Sequence, residues 1–180
     1  MKTPFPTLSL DDFRKDAKSF SKTLGNSFHR WGFCGIQDHG IDTKLVKDTQ
    51  DLFRIFFGYS EDKKQNYFKP ELHGARGYTP FKIETPKDAS FADLKEFWHV
   101  GRELNATDRY KKWMPDNLDI PDIKGFKEIT NNLFLQFDQL GNTLLEAIAL
   151  YLEQDSRYFH DITNKGNSVM RVIHYPPIEE

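Results

Sequence analysis

The segment Val169-Met170-Arg171-Val172-Ile173-His174-Tyr175 carries apolar side chains on both faces of an extended chain: Val169, Ile173 and Tyr175 on one, Met170 and Val172 on the other. Side chains alternate across a strand, so the pattern predicts a strand covered on both sides. A strand of this kind needs helices beside it, and the sequence supplies one upstream. Phe126, Ile129, Leu133, Phe134, Phe137, Leu140, Leu144, Leu145, Ile148 and Leu152 recur at i, i+3, i+4, i+7 spacing, with Lys127, Glu128, Gln136 and Asp138 between them. The stripe predicts a long helix whose apolar side lies across something flat.

Working outward, the N-terminal third reads as helices joined by short extended pieces. Thr7-Leu8-Ser9-Leu10 alternates and is ended by Asp11-Asp12, which predicts a helix start. Phe13, Ala17, Phe20, Leu24, Phe28 and Trp31 then continue as one helical face until Gly32. Phe33 to Gln37 predicts a short buried strand, Asp38-His39-Gly40 a turn, and Asp42 or Thr43 the cap of a helix bearing Leu45, Leu52, Phe53, Phe56 and Phe57. Ser60 opens a shorter helix. Gly74, Gly77, Pro80 and Pro86 make the stretch from Pro70 to Lys87 a loop with room for one strand. Phe91 to Arg102 returns to an extended pattern, and Asn105 to Pro121 is a polar connection.

Composition bounds the function. The 180 residues are expected to form a single domain, 1–180, with ample material for a core. With 25 Lys+Arg against 27 Asp+Glu the charge nearly cancels, which argues against a nucleic-acid binder. Sixteen phenylalanines predict a core built largely from their rings. One cysteine, Cys34, excludes a disulfide framework and a multi-cysteine zinc site, and suits a reducing compartment. Met1-Lys2-Thr3-Pro4 leads into no apolar run of leader or membrane-spanning length, so a cytoplasmic chain without membrane contact is expected.

Candidate chemistry is sparse. A facial metal triad of two histidines and a carboxylate suits a His-x-Asp strand, because residues two apart share a face. None of the six histidines (His29, His39, His73, His99, His160, His174) begins such a motif, and no His-Glu-x-x-His occurs. There is no Gly-x-Ser-x-Gly elbow, and Gly74-Ala75-Arg76-Gly77 lacks the spacing of a phosphate loop. Cys34 reads as an inert thiol in an apolar strand, and Arg109-Tyr110-Lys111-Lys112-Trp113 as a solvated loop. Alternation puts Glu96, Trp98 and Val100 on one side of a strand, and Phe97, His99 and Gly101 on the other. Glu96 fits either a pocket wall or a solvated edge. Arg76, in a glycine-rich turn beside Tyr78, fits either bidentate carboxylate recognition or a loop-tying salt bridge.

Four segments in order resemble one family. Trp31-Gly32-Phe33 through Asp38-His39-Gly40-Ile41, Gly74-Ala75-Arg76-Gly77-Tyr78-Thr79-Pro80, Asp93-Leu94-Lys95-Glu96-Phe97-Trp98 and Arg171-Val172-Ile173-His174-Tyr175-Pro176-Pro177 are similar to successive motifs of the iron(II)/2-oxoglutarate-dependent oxygenases related to isopenicillin N synthase. The resemblance implies an α+β fold: outer helices plus the first strands of a double-stranded β-helix, or jelly-roll, incomplete in this chain. It implies that Tyr175 helps hold a co-substrate or substrate carboxylate. Arg76 and Tyr78 fall in or beside a loop where some members bind a substrate carboxylate, and His39 matches a residue that is not an iron ligand.

In that family the His-x-Asp strand, the distal His and the 2-oxoglutarate-binding Arg follow the Tyr-Pro-Pro strand. Here those positions would lie beyond Ile178-Glu179-Glu180. The expectation is the N-terminal part of an oxygenase of small organic substrates. Fe(II) and 2-oxoglutarate serve the complete enzyme, while this chain alone holds neither metal nor catalytic residues and is inactive. A non-catalytic binding module and one half of a split oxygenase are the alternatives. Unpaired strand edges predict association, as a homo-oligomer or with a complementary C-terminal chain.

Overall fold

The computed structural model describes residues 5–85, 87, 88 and 90–177. The terminal residues 1–4 and 178–180, and the expected breaker Pro86, lie outside them. In chain order the elements are β1 (Thr7–Ser9), α1 (Leu10–Lys15), α2 (Ala17–Trp31), β2 (Gly35–Gln37), α3 (Thr43–Phe57), α4 (Glu61–Gln65), β3 (Gly77–Thr79), β4 (Glu96–Gly101), α5 (Phe126–Tyr151), α6 (His160–Thr163) and β5 (Val169–His174), with 3-10 turns at Pro70–Leu72 and Lys111–Trp113. They gather into two compact units. Among the described residues, those within 1–42 and 136–164 make the first, and those within 43–135 and 165–180 the second.

In the first unit β1 and β2 pair in parallel, Leu8 opposite Ile36. Leu10, Phe20, Leu24 and Ala147 form its core, with Leu140, Leu144 and Ile148 of α5 packed against them. Two helices replace the single one expected from Phe13 to Trp31. The chain breaks at Asp16 (φ −144°, ψ 85°), whose carboxylate accepts the Ser19 N–H at 3.0 Å. A side-chain acceptor satisfies an orphan N–H and starts α2 afresh, while the apolar stripe runs on across the break. Ser9, rather than the Asp11-Asp12 pair, caps α1. Gly32 ends α2 as expected, in the left-handed region (φ 79°) where glycine carries no Cβ penalty. His39 serves its turn, its Nδ1 accepting the Ile41 N–H at 3.0 Å. Cys34 lies just before β2 and is half-buried, and burial pushes its thiol up.

The second unit is built on an antiparallel sheet in the order β3-β4-β5. Tyr78 and Val172 flank Trp98, while Thr79 and Ile173 flank Phe97. The core is aromatic, as the phenylalanine count predicts: Phe53, Phe56, Tyr78, Trp98 and Phe126 interlock, with Phe56 and Trp98 centroids 5.0 Å apart and Trp98 and Phe126 5.1 Å apart. Edge-on ring geometry of this kind adds to the burial of area itself. β4 is buried along its whole length. β5 departs from its expectation: Met170, Val172 and His174 are partly covered, whereas Val169, Arg171 and Ile173 are exposed. No helix among the described residues is long and apolar enough to cross a membrane.

Candidate functional site

The two faces of β3-β4-β5 have different chemistry. Strand alternation puts Tyr78, Glu96, Trp98, Val172 and His174 on one face, which meets the aromatic core. Glu96 is 2% exposed. Its Oε2 accepts from Lys64 Nζ at 2.6 Å and from the Tyr78 hydroxyl at 2.5 Å, and its Oε1 takes the His174 Nδ1–H at 2.7 Å. Lys64, itself buried, also reaches Glu61 at 3.0 Å. Burial alone would raise the Glu96 carboxyl, but the hydrogen bonds from Lys64, Tyr78 and His174 outweigh it and hold the carboxyl low. Burial would likewise lower Lys64, and its bonds to Glu96 and Glu61 reverse the sign. Tyr78 is driven far up by burial and by the Glu96 carboxylate. A buried charge is tolerable only with such a full set of partners. Glu96 therefore ties β3, β4, β5 and α4 together; it is neither an exposed edge nor an open pocket wall.

The opposite face carries Thr79, Phe97, His99, Gly101, Val169, Arg171 and Ile173. His99 Nδ1 lies 2.6 Å from the Gly74 carbonyl, and Arg171 Nε donates to His99 Nε2 at 2.6 Å. A carbonyl can only accept and a guanidinium can only donate, so the imidazole is the neutral Nδ1–H tautomer. Burial lowers His99, against the Gly74 carbonyl, and the Arg171 charge adds to the lowering. The Arg171 guanidinium also lies over the Phe97 ring at 4.2 Å.

Arg76 is 1% exposed. Its Nη atoms donate to the backbone carbonyls of Ala75 (2.7 Å) and Arg102 (3.3 Å) rather than to a carboxylate, and its Nε has no hydrogen-bond partner. Burial lowers it, and Glu103 and Asp116 partly offset this from a distance. The guanidinium fills the space left by Gly101, where an added Cβ would meet its Cζ at 2.0 Å. Asn117 braces the same glycine, accepting from the Gly101 N–H (2.8 Å) and donating to its carbonyl (2.7 Å), as a neighbouring strand would. Sequence reasoning missed Asn117 and Lys64, whose partners are distant in the chain.

The three residues singled out for carboxylate binding are therefore not brought together as one cluster. Tyr78 is buried on the core face with its hydroxyl on Glu96, Arg76 is held by backbone carbonyls beside Gly101, and Tyr175, just past β5, is 68% exposed. Among the described residues no group of three or more His, Cys, Asp or Glu side chains could hold a metal ion.

Comparison with known proteins places this architecture. The family described as non-haem dioxygenase in morphine synthesis N-terminal matches residues 5–121, and the chain belongs to it. Its relatives include proteins named as 2-oxoglutarate-dependent or 2OG-Fe(II) oxygenases. The 2-oxoglutarate-dependent dioxygenase eupC of Phoma sp. is 29% identical over 172 residues, covering 87% of this chain and 53% of eupC. A 2OG-Fe(II) oxygenase family protein from Caulobacter crescentus superimposes with a TM-score of 0.89 at 37% identity, over 99% of this chain and 58% of that one. Neurospora crassa T7H, solved in complex with alpha-KG and thymine, shares the fold at 22% identity and a TM-score of 0.76, over 96% of this chain and 55% of that one. The chain spans a little over half the length of these relatives.

Proposed function

We propose that residues 1–180 act together as the N-terminal region of an iron(II)/2-oxoglutarate-dependent oxygenase of small organic substrates, supplying the outer helices and first barrel strands. The observation that carries this is β5. It has apolar side chains on both faces, yet Val169 and Ile173 are each 41% exposed, and it ends the three-stranded order. Such a strand belongs inside a closed sheet, and a free apolar edge invites another strand. The iron ligands and the 2-oxoglutarate site are assigned to sequence outside these residues, in keeping with relatives nearly twice as long. Tyr175, on the face that further strands would cover, is the residue proposed to meet a bound carboxylate. The single Cys34 supports a reducing, cytoplasmic setting.

Anaerobic Fe(II) calorimetry with and without 2-oxoglutarate tests the proposal. The 180-residue chain is expected to show no saturable site. The same chain joined to the remaining segment of the Caulobacter protein is expected to bind one equivalent. A stoichiometric site in the 180 residues would overturn the assignment of the ligands, and a folded, metal-free fusion would favour a binding module.

A further inference from the structure

We infer that the cleft between the later turns of α5 and the turn leading into α6 is a binding site for a small α-amino acid, with Arg157 taking its carboxylate and Glu146 its ammonium group. The cleft lies wholly within the first unit, and the inference does not rest on the oxygenase assignment.

The cleft has a volume of about 150 Å³. A cavity of that size takes a molecule of about six heavy atoms. Leu145 and Glu146 line it from α5, and Arg157, Phe159 and His160 from the opposite side. These walls are set before any ligand arrives. Thr163 Oγ1 donates to Asn142 Oδ1 at 3.2 Å, which ties α6 to α5. The Arg157 N–H donates to Asp155 Oδ1 at 2.8 Å, and the Arg157 carbonyl accepts the His160 N–H at 2.8 Å, so its backbone is pinned on both sides. Phe159 is braced edge-on by Tyr158, with ring centroids 5.0 Å apart.

The charges carry the inference. Among the described residues, neither the Glu146 carboxylate nor the Arg157 guanidinium has an ion-pair or side-chain hydrogen-bond partner, although both line the same cleft. Neighbouring opposite charges on α1 and α3 close on each other instead, as Arg14 does with Asp11 and Lys47 with Asp51. Two opposite charges that share a cleft without meeting fit a ligand that carries both charges in reverse order. The guanidinium fork matches a carboxylate, and it stays charged at every working pH. His160 is turned to Asp161, its Nδ1 3.3 Å from Oδ1, which leaves Arg157 as the permanent cation of the cleft. Leu145 and Phe159 offer apolar surface to a short side chain. Both charges are exposed, so either one alone is a weak attractor. Selectivity for a zwitterion over its two half-ligands follows.

L-Alanine, propionate and ethylamine are the probes, titrated into the 180-residue chain at fixed ionic strength while the backbone amides from Arg157 to Thr163 are followed by 15N NMR. L-Alanine is expected to shift them saturably with a Kd on the order of millimolar, and propionate and ethylamine to bind about tenfold or more weakly. Glu146→Gln should bring L-alanine down to the level of propionate, and Arg157→Gln to that of ethylamine. Substitutions at exposed positions leave the fold intact, which the remainder of the spectrum checks. Should a variant fail to fold, the comparison of the three probes on the wild-type chain still decides. Propionate binding as well as L-alanine, shifts that follow salt alone, or unchanged L-alanine affinity in Glu146→Gln would each overturn the inference.

Discussion

Replacing Glu96 by Gln keeps the volume and removes one buried negative charge. Lys64 then keeps Glu61 at 3.0 Å, a partner whose side chain is 58% exposed, in place of a 3%-exposed carboxylate at 2.6 Å. The Gln amide can still accept from Tyr78 or Lys64, but its NH2 opposes the His174 Nδ1–H. Breaking a buried ion pair costs about 3–5 kcal/mol, and the surviving Glu61 contact puts the expectation at the lower end, about 3 kcal/mol. With an m-value of about 2 kcal/mol/M, the urea midpoint should fall by roughly 1.5 M. The assay is urea unfolding followed by Trp98, which is 0% exposed while Trp31 and Trp113 are 41% and 61% exposed, so iodide can quench the other two. The pH dependence supplies a second check. The folded Glu96 carboxyl sits below its usual 4.5, so its contribution is complete above that pH and lost as pH falls through the folded value. The gap between wild type and Glu96→Gln should therefore close in acid. A loss of under about 1 kcal/mol, the scale of an exposed pair, would refute the account of Glu96 as a buried hub.

Gly25→Ala should destabilise the first unit by about 1–3 kcal/mol despite the helix propensity gained, because the new Cβ would lie 2.1 Å from Cγ of Tyr151; a raised melting temperature by circular dichroism would contradict this. His99 is held neutral, so the unfolded chain binds the extra proton first, and stability should fall as pH drops below 6.5 towards the folded value. In His99→Gln that part of the profile should be flat, as read from urea midpoints across the range. Burial raises the Cys34 thiol, so iodoacetamide at pH 8 should label it more slowly than it labels the same thiol in urea, and equal rates would place it at the surface.

Much of the scaffold can be read from local pattern. The stripe from Phe126 predicts α5, Gly32 the end of α2, and the alternation at Glu96–Gly101 the division of its side chains between two faces. Where the expectation fails, the deciding contact is not periodic. The apolar spacing from Phe13 to Trp31 is unbroken, yet a single carboxylate at Asp16 ends one helix and begins the next. The alternation in β5 records that both faces are apolar; coverage depends on neighbours, and Val169 and Ile173 remain exposed at this edge. Glu96 was equally consistent with pocket and edge because its deciding partner, Lys64, lies 32 residues away on a helix that reads as ordinary charged surface.

The same distinction explains why motif residues and accessible donors differ. Tyr78 sits in a recognisable motif, but its hydroxyl is spent on Glu96, and Arg76 in the same motif is spent on carbonyls at a glycine that only a bare backbone can supply. Residues that hold strands in register are constrained by the fold itself, and their polar groups are satisfied internally. A ligand needs the reverse: a donor fixed in direction but with hydrogens left over. On the opposite sheet face Arg171 is oriented by His99 and Phe97, and its Nη1 lies 3.5 Å from the Glu84 carboxylate. Chain pattern marks Arg171 only as one polar residue in an apolar strand. Its orientation comes from a cross-strand pairing with His99, 72 residues earlier.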